Sequence, residues 1–205
     1  PTETLDSALM RAITYEETTR AEWLLSCILQ DHKAQFIKYG STGAFEIACG
    51  HGQLQIAQRL YKIRDFTDDL EFWVDCFQMA CRHGHLHVTR WMYERINLDS
   101  QIYDTIFVHD VCAQGHLHVA RWMYGLGPAL LMDEWTLAFT MACARGHLNV
   151  VQWLHEIAPT ICRDAWQWAF RTVCQGGRLN VARWMHEIEP ALLANSWIDC
   201  FVAAC

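Results

Sequence analysis

Cys81, Cys112, Cys143, Cys174 and Cys205 stand 31 residues apart, and Cys49 lies one residue further back than that step. Around each complete mark runs one phrase, A-C-x-x-G-H-L-x-V-x-x-W. It reads Ala80-Cys81, Gly84-His85-Leu86, Val88 and Trp91, and it recurs at Val111-Cys112, Ala142-Cys143 and Val173-Cys174. A period of this size means stacked supersecondary units, because one such unit cannot bury its apolar face alone. A solenoid follows, and the default work of its long surface of equivalent positions is binding.

Each unit reads as two helices. Helix A is expected to start after Asp133, Asp164 and Asn195, good N-cap residues at the same step. Two residues on comes a tryptophan: Trp135, Trp166 and Trp197, with Trp73 in an earlier unit. Trp135, Phe139, Ala142 and Gly146 step along one helix face. The glycine ends helix A, where a left-handed residue costs least. Helix B follows at once with Leu148, Val150, Val151, Trp153 and Leu154, and ends near Glu156-Ile157. Pro128, Pro159 and Pro190 then stop the helix. The expected helices are 133–145 and 147–157, repeated at 31-residue steps.

The predicted fold is therefore all-α: stacked antiparallel helix pairs with a period of 31 residues. Units fall at about 41–65, 71–97, 102–128, 133–159 and 164–190, with a partial one at 195–205. Residues 1–40 show helical periodicity without the phrase, as in Leu5, Leu9, Ala12 and Ile13, and read as N-terminal capping helices. At the other end, Trp197, Phe201, Ala204 and Cys205 complete only a helix A. Either further units follow or this helix is a cap.

Charge narrows the partner. The formal net charge is −7, whereas a nucleic-acid partner wants a basic stripe. No run approaches the roughly 18–20 apolar residues of a membrane span. A monomer in the cytoplasm is expected. The ladder cysteines cannot pair with their register-mates: stacked helices lie about 8–10 Å apart, and a disulfide needs Cα atoms within about 7 Å. They read as small buried hydrophobes and reduced thiols. A metal site across His87 and His118 lacks a repeated Asp, Glu or Cys to complete it, so no metal or other cofactor is assigned. There is no nucleophile elbow, P-loop or zinc-protease helix, and Cys-His pairs such as Cys81 and His83 are by-products of the repeat. No catalytic residue is assigned. The Trp ladders, Trp73, Trp135, Trp166 and Trp197 on helix A and Trp91, Trp122, Trp153 and Trp184 on helix B, read as core. Trp168 belongs to neither ladder.

The phrase A-C-x-x-G-H-L-x-V-V-x-W-L resembles the ankyrin repeat, over about residues 41–205. The period is 31 rather than the usual 33. Leu137-Ala138-Phe139-Thr140 stands where T-P-L-H is usual, and Pro159-Thr160-Ile161-Cys162-Arg163 replaces the Asp-Gly turn of the β-finger. A compact loop with little or no finger is expected there. The Trp-rich variant is similar to ankyrin arrays of large DNA viruses of amoebae and some protists, which would place it in the host cytoplasm. The resemblance implies a non-enzymatic protein–protein interaction scaffold. The alternatives are a ubiquitin-ligase substrate adaptor whose recruiting element lies outside this segment, and a structural spacer or metal-binding module. It also implies that His85, His116 and His147 satisfy backbone groups at the start of helix B, and that helix A lines the concave binding face. Opposite the buried stripe of helix A lie Leu137, Met141 and Ala144, with Asp110, Trp168 and Thr172 at equivalent positions. Leu137, Met141, Arg145, Trp168, Thr172, Arg82, His83, Asp110 and Gln114 are the candidate partner-binding residues.

Overall fold

The structure is a computed structural model that describes residues 4–64, 66, 69–95, 108–127 and 135–190. Among the described residues the chain forms α-helices and no strand. It divides into two compact units, Pro1–Ile102 and Tyr103–Cys205. Pro128, Asp133, Asn195, Trp197, Phe201, Ala204 and Cys205 lie outside the described residues.

The first unit holds α1 (Leu5–Thr14), α2 (Thr18–Asp31), α3 (Lys33–Tyr39), α4 (Ser41–Gly50), α5 (Leu54–Ile63), α6 (Leu70–Arg82) and α7 (Leu86–Tyr93). Here α4 packs between α1 and α6, and α2 packs on α5. Leu9, Ala12 and Ile13 of α1 are fully buried or nearly so, as are Leu24, Leu25 and Ile28 of α2. The N-terminal helices thus cover the apolar side of the 41–63 helix pair. The second unit holds α8 (Val108–Ala113), α9 (Leu117–Leu126), α10 (Trp135–Arg145), α11 (Leu148–Ile157), α12 (Pro159–Gln175) and α13 (Leu179–Ile188). In it α10 packs between α8 and α12, and α11 contacts α12 and α13.

In α6 and α12, helix A starts earlier than the spacing predicts. In α6 the N-cap is Asp69, whose carboxylate accepts from the Phe72 N–H at 3.1 Å, so the helix opens three residues before Trp73. In α12 the difference is larger. Pro159 does not merely stop α11: it opens α12, and Asp164 sits inside that helix rather than capping it. Ala158 is held at φ −140°, ψ 61°, out of the helical region that a following proline disfavours, and this ends α11. Pro159 itself is a good first helical residue, since its missing N–H would have no partner there and its φ is already set. Cys162, 1% exposed, and Ala165, 7% exposed, anchor the added turns. The segment expected as a compact loop is therefore helix.

The turn glycines behave as the repeat requires. Gly52, Gly84, Gly115, Gly146 and Gly177 all have positive φ, between 66° and 84°. Helix B begins at once, but the ladder histidines do not cap it: α7, α9 and α11 show no side-chain cap bond at His85, His116 or His147. In the first unit His85 Nε2 reaches back 2.9 Å to the carbonyl of Gly50, the residue after ladder cysteine Cys49. His83 Nδ1 reaches the same carbonyl at 2.8 Å, and His87 Nε2 reaches Gly52 O at 2.8 Å. In the second unit Arg178 stands where the phrase has His. Its Nε donates to Ala144 O at 3.1 Å, the carbonyl after Cys143. Arg145 donates likewise to Ala113 O, after Cys112, at 3.4 Å. The last carbonyls of a helix lack intrahelical partners. Here the next helix pair supplies one.

A second seam is aromatic. Tyr61 meets Trp73 and Trp91 edge-on at 5.7 Å each, and Tyr124 meets Trp135 at 5.8 Å and Trp153 at 5.9 Å. His155 takes the tyrosine's place between Trp166 and Trp184, at 5.4 and 5.5 Å. In each set the helix-B residue of one pair wedges between the two ladder tryptophans of the next. The Arg95 guanidinium lies 4.6 Å over Trp91. Trp73 and Trp166 are 1% and 0% exposed.

The ladder cysteines within the described residues are free and buried in the cases of Cys49, Cys81, Cys112 and Cys143. Burial pushes the Cys81 thiol up to about 12, opposed by its hydrogen bond with Thr89, and burial raises Cys112 to about 12 as well. Cys76 is raised by its hydrogen bond with Cys49 and then by burial. These are neutral packing groups.

Two glycine substitutions separate the turn's geometry from general helix propensity. A Cβ at Gly115, φ 82°, would lie 2.5 Å from His147 Nδ1, whereas one at Gly125 meets nothing within 4 Å. Gly115→Ala is expected to lower stability by about 2 kcal/mol. Gly125→Ala, in the last turn of α9, is expected to leave stability unchanged or raise it by up to about 1 kcal/mol. Thermal unfolding of the two variants checks the opposite signs.

Candidate protein-binding face

The candidate residues fall into two groups. Arg82 and His83 belong to the first unit, where both are exposed at the end of α6. His83 is committed to Gly50 O, so it holds two helix pairs together as well as facing solvent. Asp110, Gln114, Leu137, Met141, Arg145, Trp168 and Thr172 belong to the second unit, on α8, α10 and α12 and, for Gln114, in the turn that follows α8.

On α10 the buried face is Trp135, Ala138, Phe139, Ala142 and Cys143. Leu137 projects away from it and is 44% exposed, and Met141 one turn on is half-buried. On α12 the buried face is Cys162, Ala165, Trp166, Ala169, Phe170 and Val173. Trp168 lies opposite and is 61% exposed. Leu137 and Trp168 are equivalent residues of neighbouring packed helices, whose axes lie about 8–10 Å apart. Thr172, one turn beyond Trp168, donates its hydroxyl to Trp168 O at 3.0 Å. Thr140 is likewise satisfied, through Thr136 O and Leu137 O. Asp110 on α8 is half-buried with His109 Nε2 3.9 Å from its carboxylate, and Gln114 is exposed.

Two aromatic residues two positions apart thus do opposite work. Trp166 stacks on Phe139 at 5.8 Å and closes the seam, while Trp168 carries a large apolar area in water. Exposed apolar residues standing singly are ordinary, but one beside Leu137 and the half-buried Met141 forms a patch. Phase along α12 separates the two tryptophans in the sequence. The Tyr61, Tyr124, His155 seam was equally readable as a third ladder at the helix-B step, but only its packing shows that it joins successive pairs.

Cys81 Sγ faces Thr89 Oγ1 at 3.7 Å, and His83 is taken up by Gly50 O, so these two do not form a nucleophile–base pair. Among the described residues there is also no group of three or more His, Cys, Asp or Glu that could hold a metal ion, and no helix long and apolar enough to cross a membrane.

Truncating the two neighbouring tryptophans gives the most direct check of this division. Trp166→Ala is expected to cost about 3–5 kcal/mol as a core deletion. Trp168→Ala is expected to stay within about 0.5 kcal/mol of the parent. Chemical denaturation curves of both variants measure the contrast.

A family model, ankyrin repeats (many copies), matches residues 108–155, which span α8 to α11. No curated protein matches the chain. Ankyrin repeats are a non-catalytic module that mediates protein–protein interaction. The match and the all-helical array of pairs together support an ankyrin-repeat protein.

Proposed function

We propose that this chain is a non-enzymatic scaffold that binds a partner protein through the helix-A face of its second unit, with Trp168 as the central anchor. The observation that carries the reading is the exposure of Trp168 beside Leu137, on two packed helices whose opposite faces are buried. An exposed large aromatic ringed by neutral contacts is the usual form of an interface hot spot. Trp is also rigid, so ordering it on binding costs little entropy compared with a long flexible side chain. Met141 and Thr172 supply the adaptable surround.

Affinity capture with the intact chain, followed by a binding measurement on the recovered partner, tests this. Trp168→Ala is expected to weaken binding by about 2 kcal/mol or more, and Leu137→Ala by about 1 kcal/mol. Helical content should be unchanged in both. A partner that binds both variants with unaltered affinity would place the interface elsewhere.

A further inference from the structure

Resting on that reading, we infer that the α10–α12 face takes an acidic segment of its partner, one that carries a single bulky apolar side chain to pack on Trp168 and Leu137. The argument is charge. The whole chain is acidic, at −7, yet α10 contains no acid and α12 contains only Asp164. Against these stand Arg145, Arg163, Arg171 and, in the turn after α12, Arg178. Arg163 is paired with Glu189 at 3.1 Å. The other three are exposed.

Arg171 lies three residues after Trp168, on the same face of α12, and makes no hydrogen bond or ion pair among the described residues. Arg145 ends α10, and Arg178 stands in the turn after α12, immediately before α13. Each gives one N–H to a neighbouring carbonyl, which leaves most of the guanidinium's five donors for a ligand. Helical rise sets the end of α12 about 10 Å from Trp168. Roughly three residues of extended chain cover that distance. The fitting ligand therefore has an apolar residue followed or preceded, within about three residues, by carboxylates.

The corresponding helices of the first unit have the opposite character. There α4 and α6 carry Glu46, Glu71 and Asp75 against the lone Arg82, and Asp75 occupies the position of Leu137 and Trp168. Anchor and cations thus occur together, on one unit. Arg rather than Lys at all three places suits carboxylates, which its planar fork can grip with two hydrogen bonds.

Selection of short random peptides on the intact chain tests the inference, with binding of the enriched peptides followed by titration calorimetry. Enriched peptides are expected to combine Asp or Glu with one Leu, Phe or Trp. Their affinity should fall about tenfold between roughly 50 and 300 mM salt. Arg171→Glu should weaken them about tenfold or more, and Trp168→Ala similarly, while Asp75→Ala in the first unit should leave them unchanged. Basic or uncharged peptides, or no enrichment at all, would overturn the inference. So would binding of a single-stranded or duplex oligonucleotide in place of peptides, or self-association of the chain that Trp168→Ala abolishes. If binding falls with Trp168→Ala but ignores salt and Arg171→Glu, the acidic chemistry is wrong and the binding face stands. If neither substitution matters, the face falls with it.

Discussion

The fold depends on a bond that no single repeat can make by itself. The carbonyls following Cys49, Cys112 and Cys143 sit at the end of a helix A, where the helix has run out of N–H donors. His83 and His85 donate to Gly50 O, Arg178 to Ala144 O and Arg145 to Ala113 O, each from the following helix pair. Such a bond is worth only about 1 kcal/mol net, but an unsatisfied buried carbonyl costs about 1–3 kcal/mol. The turn glycine makes the contact fit: at Gly52 a Cβ would lie 2.5 Å from the His85 ring. Glycine, positive φ and the ring that leans on it therefore form one device. It explains why Gly and His recur together in the phrase.

Burial then does the bulk of the stabilisation. The buried tryptophans of the two ladders are closed by a tyrosine or histidine from the preceding pair. That seam leaves some polar atoms without partners: the Trp73, Trp91 and Trp166 Nε1 atoms and the His155 Nδ1 atom are buried and unpaired among the described residues. The rings' apolar area outweighs that loss. Neighbour dependence is the general property of stacked repeats, whose stability is shared between units and the interfaces joining them.

The parts of this structure that were legible in the sequence are those set by period. The cysteine and tryptophan ladders, the left-handed glycines and the all-helical pairs follow from the 31-residue step. The buried stripe of α10 follows from helical phase, and the exposure of Trp168 from its absence from either ladder. What spacing could not supply was the competition at particular residues. Pro159 looked like a terminator, yet its fixed φ and missing N–H suit a helix start equally well. The burial of Cys162 and Ala165 decides for the start. The histidines looked like caps, because a residue before helix B is placed to cap it. The His85 ring instead finds an acceptor in the preceding pair, a contact that sequence neighbours cannot reveal. For the same reason His83 and Arg145 combine a structural tie with solvent exposure.

Amide hydrogen exchange of a His85→Ala variant tests the tie between pairs most directly. The account predicts faster exchange in the last turn of α4 and in the α4–α5 turn, around Gly50 to Gln53, as well as near position 85 itself. Faster exchange confined to the first turn of α7, with the α4–α5 turn as protected as in the parent, would show that His85 serves its own helix and would contradict it.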